Sequence, residues 1–451
     1  MAIKKTNLFL LFPLPYFLFI LGVLENKGFF SQPAVLEYTI IPVTLIAFFV
    51  YCYRKSTDFL YTSGMVFYYY IGMCISLLMV SNGVSMIEID QIGTANGSAF
   101  MMLATCIYSI TVSKISFEWA MNSRRVAKAS RLSSKLINTL LKFIIAGVLC
   151  LGVIILIMYA GPVILNQNRV AFWESMSSTG LGFYPTLVIQ TFYFAAYYYL
   201  FNRFHKNKPK LALIFLCGYI FITIMVLGEK FSAFIIYGSV FFALLPSFSN
   251  QLKLGKKYFV LCIVFFALLI ATIVLSYITQ GYDSEFIFAR IALQGQLMWS
   301  IFNNSFPDFT SEQLQCLNGC NGFISGVDYM SFNFLPLTTY NHYLATSTSL
   351  SGFSPAIQFW LLGIGLTLVL QTFVSMVMGF LQAKMVIYNN EKNFVIGFFI
   401  FKLNFSIFLI WHALMFSAIT GALITLTIML LYFLASKSIT RNNSKVLKDV
   451  T

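Results

Sequence analysis

Long apolar runs separated by short polar segments are the main pattern along the chain. Each run is about 17 to 25 residues long, the length that an α-helix needs to cross a hydrocarbon core roughly 30 Å thick. A soluble fold can bury one such run as a core helix, but it cannot bury a dozen. The pattern therefore predicts an all-α polytopic integral membrane protein in which residues 1–451 form a single membrane domain. Its transmembrane helices, about twelve in number, are predicted at residues 7–24, 34–53, 59–80, 97–117, 137–164, 183–201, 211–227, 231–246, 258–278, 355–381, 394–410 and 413–435.

Composition agrees with this pattern, and the distribution of charge explains a net positive charge that could otherwise suggest nucleic-acid binding. Hydrophobic residues make up 59% of the chain and charged residues only 10%, whereas a typical soluble domain has roughly 25% charged residues. The formal net charge of +14 resembles that of a nucleic-acid-binding protein. However, the positive side chains lie between the apolar runs, on alternate sides of the membrane. They are therefore topology signals, and the sequence predicts no nucleic-acid partner.

Basic and acidic residues are segregated along the chain. If Lys4 and Lys5 are cytoplasmic, almost all other basic residues fall on the cytoplasmic side, apart from Lys402 inside the eleventh span. This asymmetry predicts that both termini are cytoplasmic and that the protein lies in a bacterial inner membrane. The basic residues of the predicted outer loops are Lys27, Arg169, Lys230 and Arg290, and the acids are Glu88, Asp90, Glu174, Glu229, Asp283, Glu285, Asp308, Glu312 and Asp328.

The longest polar segment, residues 279–354, is predicted to be a periplasmic loop between the ninth and tenth spans. A serine and then a glutamate open its stretch 284–303, followed by apolar residues at helical spacing, which predicts a short capped amphipathic helix. We expect this helix on the membrane surface with Arg290, Gln294 and Gln296 towards a cavity. The loop is rich in aromatic and polar side chains, the types that bind sugars. The alternative is a periplasmic cap that only packs.

Three of the outer basic residues are candidates for binding a pyrophosphate. Arg169, Lys230 and Arg290 each share a loop with acids, and ionisable residues at a membrane are functional candidates by default. The planar guanidinium of arginine suits phosphate oxygens. The alternative is that each cation pairs with its local acid or with a lipid headgroup. For the Glu229–Lys230 pair, in the short turn between spans 7 and 8, the alternative is a solvated surface turn.

Candidate general bases lie in the same outer loops. His342 is the histidine of the long outer loop, and a neutral imidazole is a suitable base near pH 7. Asp283 and Glu229 compete with it, as does Glu285. His342 can equally be an ordinary polar residue of the loop surface.

Two cysteines of the long outer loop differ from the other six, which lie in or beside apolar runs. Cys316 and Cys320 are separated by three residues in the segment CLNGC, and in an oxidising periplasm they can form a disulfide that closes a tight loop. A zinc site would need more ligands than the nearby sequence offers. The sequence contains no phosphate-binding, dinucleotide-binding or metalloprotease motif in a suitable context, so we predict no metal and no cofactor.

The layout resembles that of the Wzy-type polymerases of O-antigen and related surface polysaccharides, which are related to the O-antigen ligases. Those proteins have many helices and two functional outer loops, the third and the fifth. In the third outer loop here, Arg169 and Gly180 match an Arg-x10-Gly motif of the family. The segments GEKFSAF, at 228–234, and NHYLATSTSLSG, at 341–352, also resemble family segments, although the histidine and asparagine of the latter are interchanged. Arg290 lacks the Arg-x10-Gly motif.

The resemblance implies glycosyl transfer at the periplasmic face of the inner membrane. The donor would be a glycan on undecaprenyl pyrophosphate, and the acceptor a repeat unit on a second undecaprenyl pyrophosphate. Arg169, Arg290 and Lys230 would stabilise the leaving pyrophosphate, and His342, Asp283 or Glu229 would take the proton of the acceptor hydroxyl. The expected partners are membrane lipids, a chain-length regulator and a flippase of the same pathway.

Two other functions fit the layout. A flippase or transporter of lipid-linked oligosaccharides would also have about twelve helices, but such proteins spread charge through their helices and have short loops. We expect the helix interiors here to hold almost no charge beyond Lys402, which favours an enzyme acting at the outer face. An O-antigen ligase would use the same donor with a lipid A-core acceptor, and the sequence does not separate it from a polymerase.

Overall fold

The structure is helical almost throughout the residues that it describes. It is a computed structural model that describes residues 9–123, 134–158, 172, 180, 183–206, 208–227, 231–248, 271, 274, 275, 278, 281–304, 326–346, 355–412 and 418–431. Within them, the only strands form one hairpin, β1 (Ser85–Met86) and β2 (Gln91–Ile92). The helices are α1 (Pro13–Asn26), α2 (Pro33–Lys55), α3 (Thr57–Thr62), α4 (Gly64–Ser81), α5 (Ser98–Asn122), α6 (Ser134–Met158), α7 (Tyr184–His205), α8 (Pro209–Leu227), α9 (Phe231–Leu244), α10 (Ser284–Ala292), α11 (Gln296–Asn304), α12 (Gly326–Phe334), α13 (Leu337–Thr346), α14 (Ala356–Asn390), α15 (Phe394–His412) and α16 (Ala418–Leu431).

Six of the described helices are long and apolar enough to cross a membrane. They are α1, with an N-terminal extension to Phe9, and α2, α4, α5, α14 and α15. They coincide with six of the predicted spans, which confirms an all-α, membrane-embedded protein. The other predicted spans, the cytoplasmic termini and the single-domain organisation stay predictions.

Helix α14 is longer than the sequence pattern predicts. It runs for 35 residues to Asn390, whereas the apolar run ends near residue 381. A straight helix of that length would measure roughly 50 Å, far more than a bilayer core. The chain breaks at Gly363, which has φ 69° and ψ 171°. Only glycine reaches this backbone region at little cost, so a short first segment is separated from the long spanning part.

Helix α5 lies at the centre of the main hydrophobic core, and nearly all of its side chains are buried. Small residues let neighbouring helices approach its backbone closely, as is common between membrane helices. A Cβ atom at Gly379 of α14 would lie 2.0 Å from the Ser113 carbonyl oxygen. Interhelical hydrogen bonds add to this packing: the Gln371 amide of α14 donates to Ser109 Oγ at 2.7 Å and to Tyr70 Oη at 2.9 Å.

A second core surrounds α7 and is rich in aromatic rings. Tyr193 and Tyr197 of α7 pack against Phe401 of α15, with ring centroids 5.2 and 5.3 Å apart. The Tyr197 hydroxyl donates to Asn389 Oδ1 at 2.8 Å. Stacked and tilted rings of this kind contribute to stability beyond their buried area. They hold α7 against the C-terminal end of α14 and against α15. In the predicted orientation, this end of α14 would be the cytoplasmic one.

Segments of the long polar stretch close one end of the main helix bundle. Asn26 at the end of α1 donates from Nδ2 to the carbonyl oxygens of Asn96 and Phe302, at 3.2 and 3.0 Å. Asn96 Nδ2 donates to the Trp299 carbonyl oxygen at 2.9 Å. The ends of α1 and α5 therefore meet helix α11. We call this end, formed by Asn26, Asn96 and the α10–α11 pair, the capped end.

The predicted amphipathic helix over 284–303 is wrong in two respects. The chain forms two helices, α10 and α11, separated at Gly295, whose backbone N–H donates to Ser76 Oγ at 2.7 Å. A Cβ at Gly295 would lie 2.9 Å from the Leu77 backbone nitrogen, so the close approach of α4 fixes the break. Helix α11 is buried from Gln296 to Phe302, not laid on a surface, because its apolar residues join the main core.

Candidate functional site

A short β-hairpin carries Glu88 into the capped end. Ser85 pairs with Ile92 and Met86 with Gln91, which leaves residues 87–90 as the connecting turn. The Asp90 backbone N–H donates to the Met86 carbonyl oxygen at 2.8 Å, and Asp90 adopts a positive φ of 56°. Aspartate is among the few residues that tolerate this conformation. The turn places the Glu88 side chain at a buried position.

The Glu88 carboxylate is held by two donors from distant parts of the chain. Tyr343 of α13 donates its hydroxyl to Glu88 Oε1 at 2.6 Å, and Gln296 at the start of α11 donates from Nε2 to Glu88 Oε2. A buried carboxylate is costly unless it is hydrogen-bonded, and hydrogen bonds to an ionised acceptor are the stronger kind. Glu88 is therefore the point at which the hairpin, α11 and α13 meet.

Arg290 lies next to this cluster. Burial raises the pKa of Tyr343, and the hydrogen bond and negative charge of Glu88 raise that pKa further, while the positive charge of Arg290 opposes both. Tyr343 therefore remains a protonated donor at neutral pH. Arg290 itself is exposed on α10, so its guanidinium faces solvent beside a fixed tyrosine and carboxylate.

One acceptor of the cluster has no partner. Gln296 is fully buried, and its Oε1 atom makes no hydrogen bond within the described part of the chain. Buried polar atoms are normally paired, and each exception calls for an explanation. A hydroxyl group of a bound molecule would satisfy this acceptor beside Glu88.

An open groove lies on the other side of the hairpin. Ser85 and Ile87 line it from the hairpin, and Tyr282, Asp283 and Phe286 line it from the start of α10. The rings of Tyr282 and Phe286 are stacked, with centroids 4.1 Å apart and planes 13° apart. Stacked rings beside carboxylates are an arrangement that suits a sugar.

Asp283, predicted as a possible base, has a structural role at this groove. Its Oδ1 atom accepts a hydrogen bond from the Phe286 backbone N–H at 2.7 Å, so Asp283, and not Ser284, is the N-cap of α10. Such caps stabilise a helix start by satisfying a free N–H group. Asp283 is also one of the residues that line the groove. Asp283 lies seven residues before Arg290, or about 10 Å along the helix.

The structure brings two of the predicted site residues to one neighbourhood. His342 is exposed on α13 and directly precedes Tyr343, with ring centroids 6.3 Å apart, and Arg290 acts on the same tyrosine. Asp283 lies at the far end of α10. The remaining predicted residues fall outside the described residues, and their roles stay predictions: Arg169, Glu229, Lys230, Cys316 and Cys320.

The expectation that the helix interiors hold almost no charge beyond Lys402 is wrong. Lys114 of α5 is buried and pairs with Glu118 one turn later, with Nζ and Oε1 2.6 Å apart. Glu37 is fully buried in α2. The pairing of Lys114 with Glu118 offsets part of the cost of burying charge. Lys402 itself donates to Gln190 Oε1 at 2.8 Å.

Sequence reasoning did not find the central residue of the cluster. Glu88 appears in the sequence only as one of several outer acids, and Tyr343 only as one of many aromatic residues. The bonds that unite them join residues 208 and 255 positions apart, and no local pattern signals such a contact. Gln296 and Arg290 were expected to face a cavity. Both lie at this cluster, but Gln296 is fully buried and hydrogen-bonded to Glu88, and Arg290 is exposed.

The chemistry of the site can be described from its side chains. Among the residues that the structure describes, no group of three or more His, Cys, Asp or Glu side chains is placed to bind a metal ion. Comparison of the chain with protein-family models, with curated proteins and with solved structures finds no match.

Proposed function

We propose that this membrane protein is a glycosyltransferase that polymerises undecaprenyl-pyrophosphate-linked repeat units at the periplasmic face of a bacterial inner membrane. The observation that supports the proposal most is the cluster of Glu88, Tyr343 and Arg290 at the capped end. Every segment of this cluster belongs to a loop that the charge asymmetry predicts to be periplasmic. In the proposed topology the chain has about twelve spans, and both of its termini are cytoplasmic.

The reaction needs a base and a group of cations. The acceptor hydroxyl loses its proton and attacks the anomeric carbon of the donor, while the bond to the lipid pyrophosphate breaks. Arg290 offers an exposed guanidinium to the departing pyrophosphate, where positive charge stabilises the transition state. Arg169 and Lys230 are proposed to complete the pyrophosphate site from two other loops.

His342 is the proposed base, and Glu88 positions the residues around it. The exposed imidazole adjoins Tyr343, whose hydroxyl is fixed on Glu88. A base must reach the proton that it removes, and an exposed residue of α13 can do so. Asp283 is the second candidate, because it lines the groove together with the stacked Tyr282 and Phe286 rings. We propose that this groove binds the glycan.

The decisive experiment is the analysis of lipid-linked intermediates in a strain that lacks the gene. Loss of a polymerase leaves single repeat units attached to the lipid A core. Loss of a ligase leaves long chains on undecaprenyl pyrophosphate, and loss of a flippase leaves units that face the cytoplasm. Single repeat units on the core are expected. Either of the other two products would contradict the proposal.

A transporter of lipid-linked oligosaccharides is the second candidate, and a specific observation favours it. Charged side chains do lie inside the membrane helices, at Glu37 and at the Lys114–Glu118 pair, as is common in transport pathways. The extensive cap of α10, α11, α12 and α13 favours the enzyme instead, because a transport pathway would have to pass it.

A further inference from the structure

Two carboxyl groups are buried beside each other between α1 and α2. Glu25 is the penultimate residue of α1 and is 4% exposed, and Glu37 in the first turns of α2 is fully buried. The short connection between the two helices folds back at Gly28, which has φ 75°. The two carboxyl groups lie within interaction distance of each other.

The walls around this pair come from α4 and α5. The Ser81 hydroxyl, at the end of α4, and the Gly97 backbone, before α5, lie beside Glu37. Gly97 has φ 83°, and a Cβ there would lie 2.0 Å from the Gly22 carbonyl oxygen of α1. No residue larger than glycine fits at this contact between Gly97 and α1. The close approach of the two backbones encloses the pair.

The pair has few polar neighbours. Glu25 and Glu37 interact with each other, and the Ser81 hydroxyl and the Gly97 backbone lie beside Glu37. None of the four carboxyl oxygens makes a well-aligned hydrogen bond to a described residue, and neither does the fully buried hydroxyl of Ser98. The other titratable groups that face Glu37 are Tyr38 and Cys74, and neither of them is a cation. Two adjacent buried carboxylates cannot both remain charged and unpaired.

We propose that Glu25 and Glu37 form a binding site for one exchangeable monovalent cation, a proton or Na⁺. The donor atoms are all oxygens, the ligands that hard cations prefer. Ca²⁺ takes six to eight oxygens, and Mg²⁺ retains several waters, which is more than an enclosed site of four carboxyl oxygens and one hydroxyl provides. A proton shared between the carboxyl groups, or a small cation between them, removes the repulsion. The proposal is independent of glycosyl transfer.

Occupancy of this site bears on the capped end through one short connection. Asn26 directly follows Glu25 and donates to the backbone of Asn96 and of Phe302 in α11. Helix α11 begins at Gln296, the residue that donates to Glu88. When the cation leaves, repulsion between the two carboxylates loosens α1 and α2 against α4 and α5, and Asn26 moves with them.

The test uses infrared spectroscopy and thermal unfolding of the purified full-length protein in detergent micelles. Spectra are compared between pH values, with choline or Na⁺ as the buffer cation at equal ionic strength. The variants are Glu25→Gln, Glu37→Gln and the double variant. Glu118→Gln is the matched control, because Glu118 is a carboxylate of a membrane helix that already has Lys114 as its partner.

The wild type should show the infrared band of a protonated carboxyl group, shifted in each single variant, lost in the double variant and retained in Glu118→Gln. If Na⁺ at high pH removes the band and raises the unfolding temperature, the ligand is Na⁺. If the band disappears as pH rises but does not respond to Na⁺, the ligand is a proton. The proposal is overturned if the wild type shows no such band at any pH in choline, or if its band and its unfolding temperature respond to neither pH nor Na⁺. Both of these outcomes are read from the wild type, so they decide even if a variant does not fold.

Discussion

Two sets of buried carboxylates at the same end of the helix bundle have different hydrogen-bonding surroundings. Glu88 accepts hydrogen bonds from Tyr343 and Gln296, whereas Glu25 and Glu37 make no well-aligned hydrogen bond to a described residue. Burying a carboxylate costs free energy in both places. At Glu88 the protein's own hydrogen bonds offset the cost of burial, and the carboxylate therefore positions its neighbours. At the pair the compensation has to come from a bound cation. This contrast separates a fixed framework from an exchangeable site.

The largest expected effect tests whether the Glu88 region is the reactive one. Arg290→Ala should reduce glycan polymerisation by about 10²–10³, the usual loss for one charged donor to a developing anion. Arg290→Lys should restore only part of the rate, because lysine keeps the charge but loses the two-pronged geometry. The measurement is the length ladder of surface glycan on a gel in the complemented deletion strain, with the amount of membrane protein checked by immunoblot.

Lys27→Ala is the matched control, since it removes another exposed cation of the predicted outer loops that has no proposed role in the pyrophosphate site. It should leave the ladder unchanged. A near-wild-type ladder from Arg290→Ala at normal protein level would exclude Arg290 from the pyrophosphate site. The same substitution at Arg169 tests the second predicted arginine.

The second prediction concerns how strongly the hydrogen bond from Tyr343 stabilises the buried Glu88 carboxylate. A double-mutant cycle of Glu88→Gln and Tyr343→Phe should give a coupling of about 1.5–3 kcal/mol in the free energy of unfolding, as expected for a buried hydrogen bond to a charged group. The measurement is denaturant unfolding in micelles. A cycle on Tyr340 and Asp328, whose hydrogen bond is 3.0 Å long and joins an acid that is only half-buried, should give a smaller coupling. Equal coupling in both cycles would show that burial of Glu88 adds nothing.

The smallest effect concerns the glycine that encloses the carboxyl pair. Gly97 and Gly28 both have positive φ, but only Gly97 has backbone within contact of a new Cβ. Gly97→Ala should therefore cost about 1–3 kcal/mol more in unfolding free energy than Gly28→Ala, the cost of overpacking alone. Both variants bear the same backbone penalty, so their difference in the denaturant titration isolates the contact. Equal losses would mean that the α1–α5 approach is not tight.

Local patterns predicted much of the fold. Apolar runs predicted the spanning helices because a bilayer imposes one length on every crossing, and six of those runs form helices that are long and apolar enough to cross a membrane. The prediction of helical structure within residues 284–303 was also correct. Its interruption at Gly295 depends on contact with Ser76, more than two hundred residues earlier, and such a contact leaves no periodic trace.

The candidate site was predicted only where charge alone was informative. Arg290 stood out because basic residues are rare in the predicted outer loops. Glu88 did not, since its importance comes from Tyr343 and Gln296 meeting it in space. Glu25 and Glu37 look like ordinary acids at helix ends, which would normally extend towards the headgroups. They are buried because Gly22 and Gly97 bring α1 and α5 into contact.

The central position of α5 has a consequence for biosynthesis. Its polar partners Thr372, Gln371 and Met376 on α14 are about 260 residues further along the chain. At translation rates of about 5–20 residues per second, roughly 13–50 s pass between the synthesis of the two helices. During that interval the hydroxyl groups of Tyr108, Ser109 and Ser116 in α5 have no α14 to bond to. The nascent protein therefore depends on the insertion machinery, or on its own early helices, to shield this polar stripe from lipid.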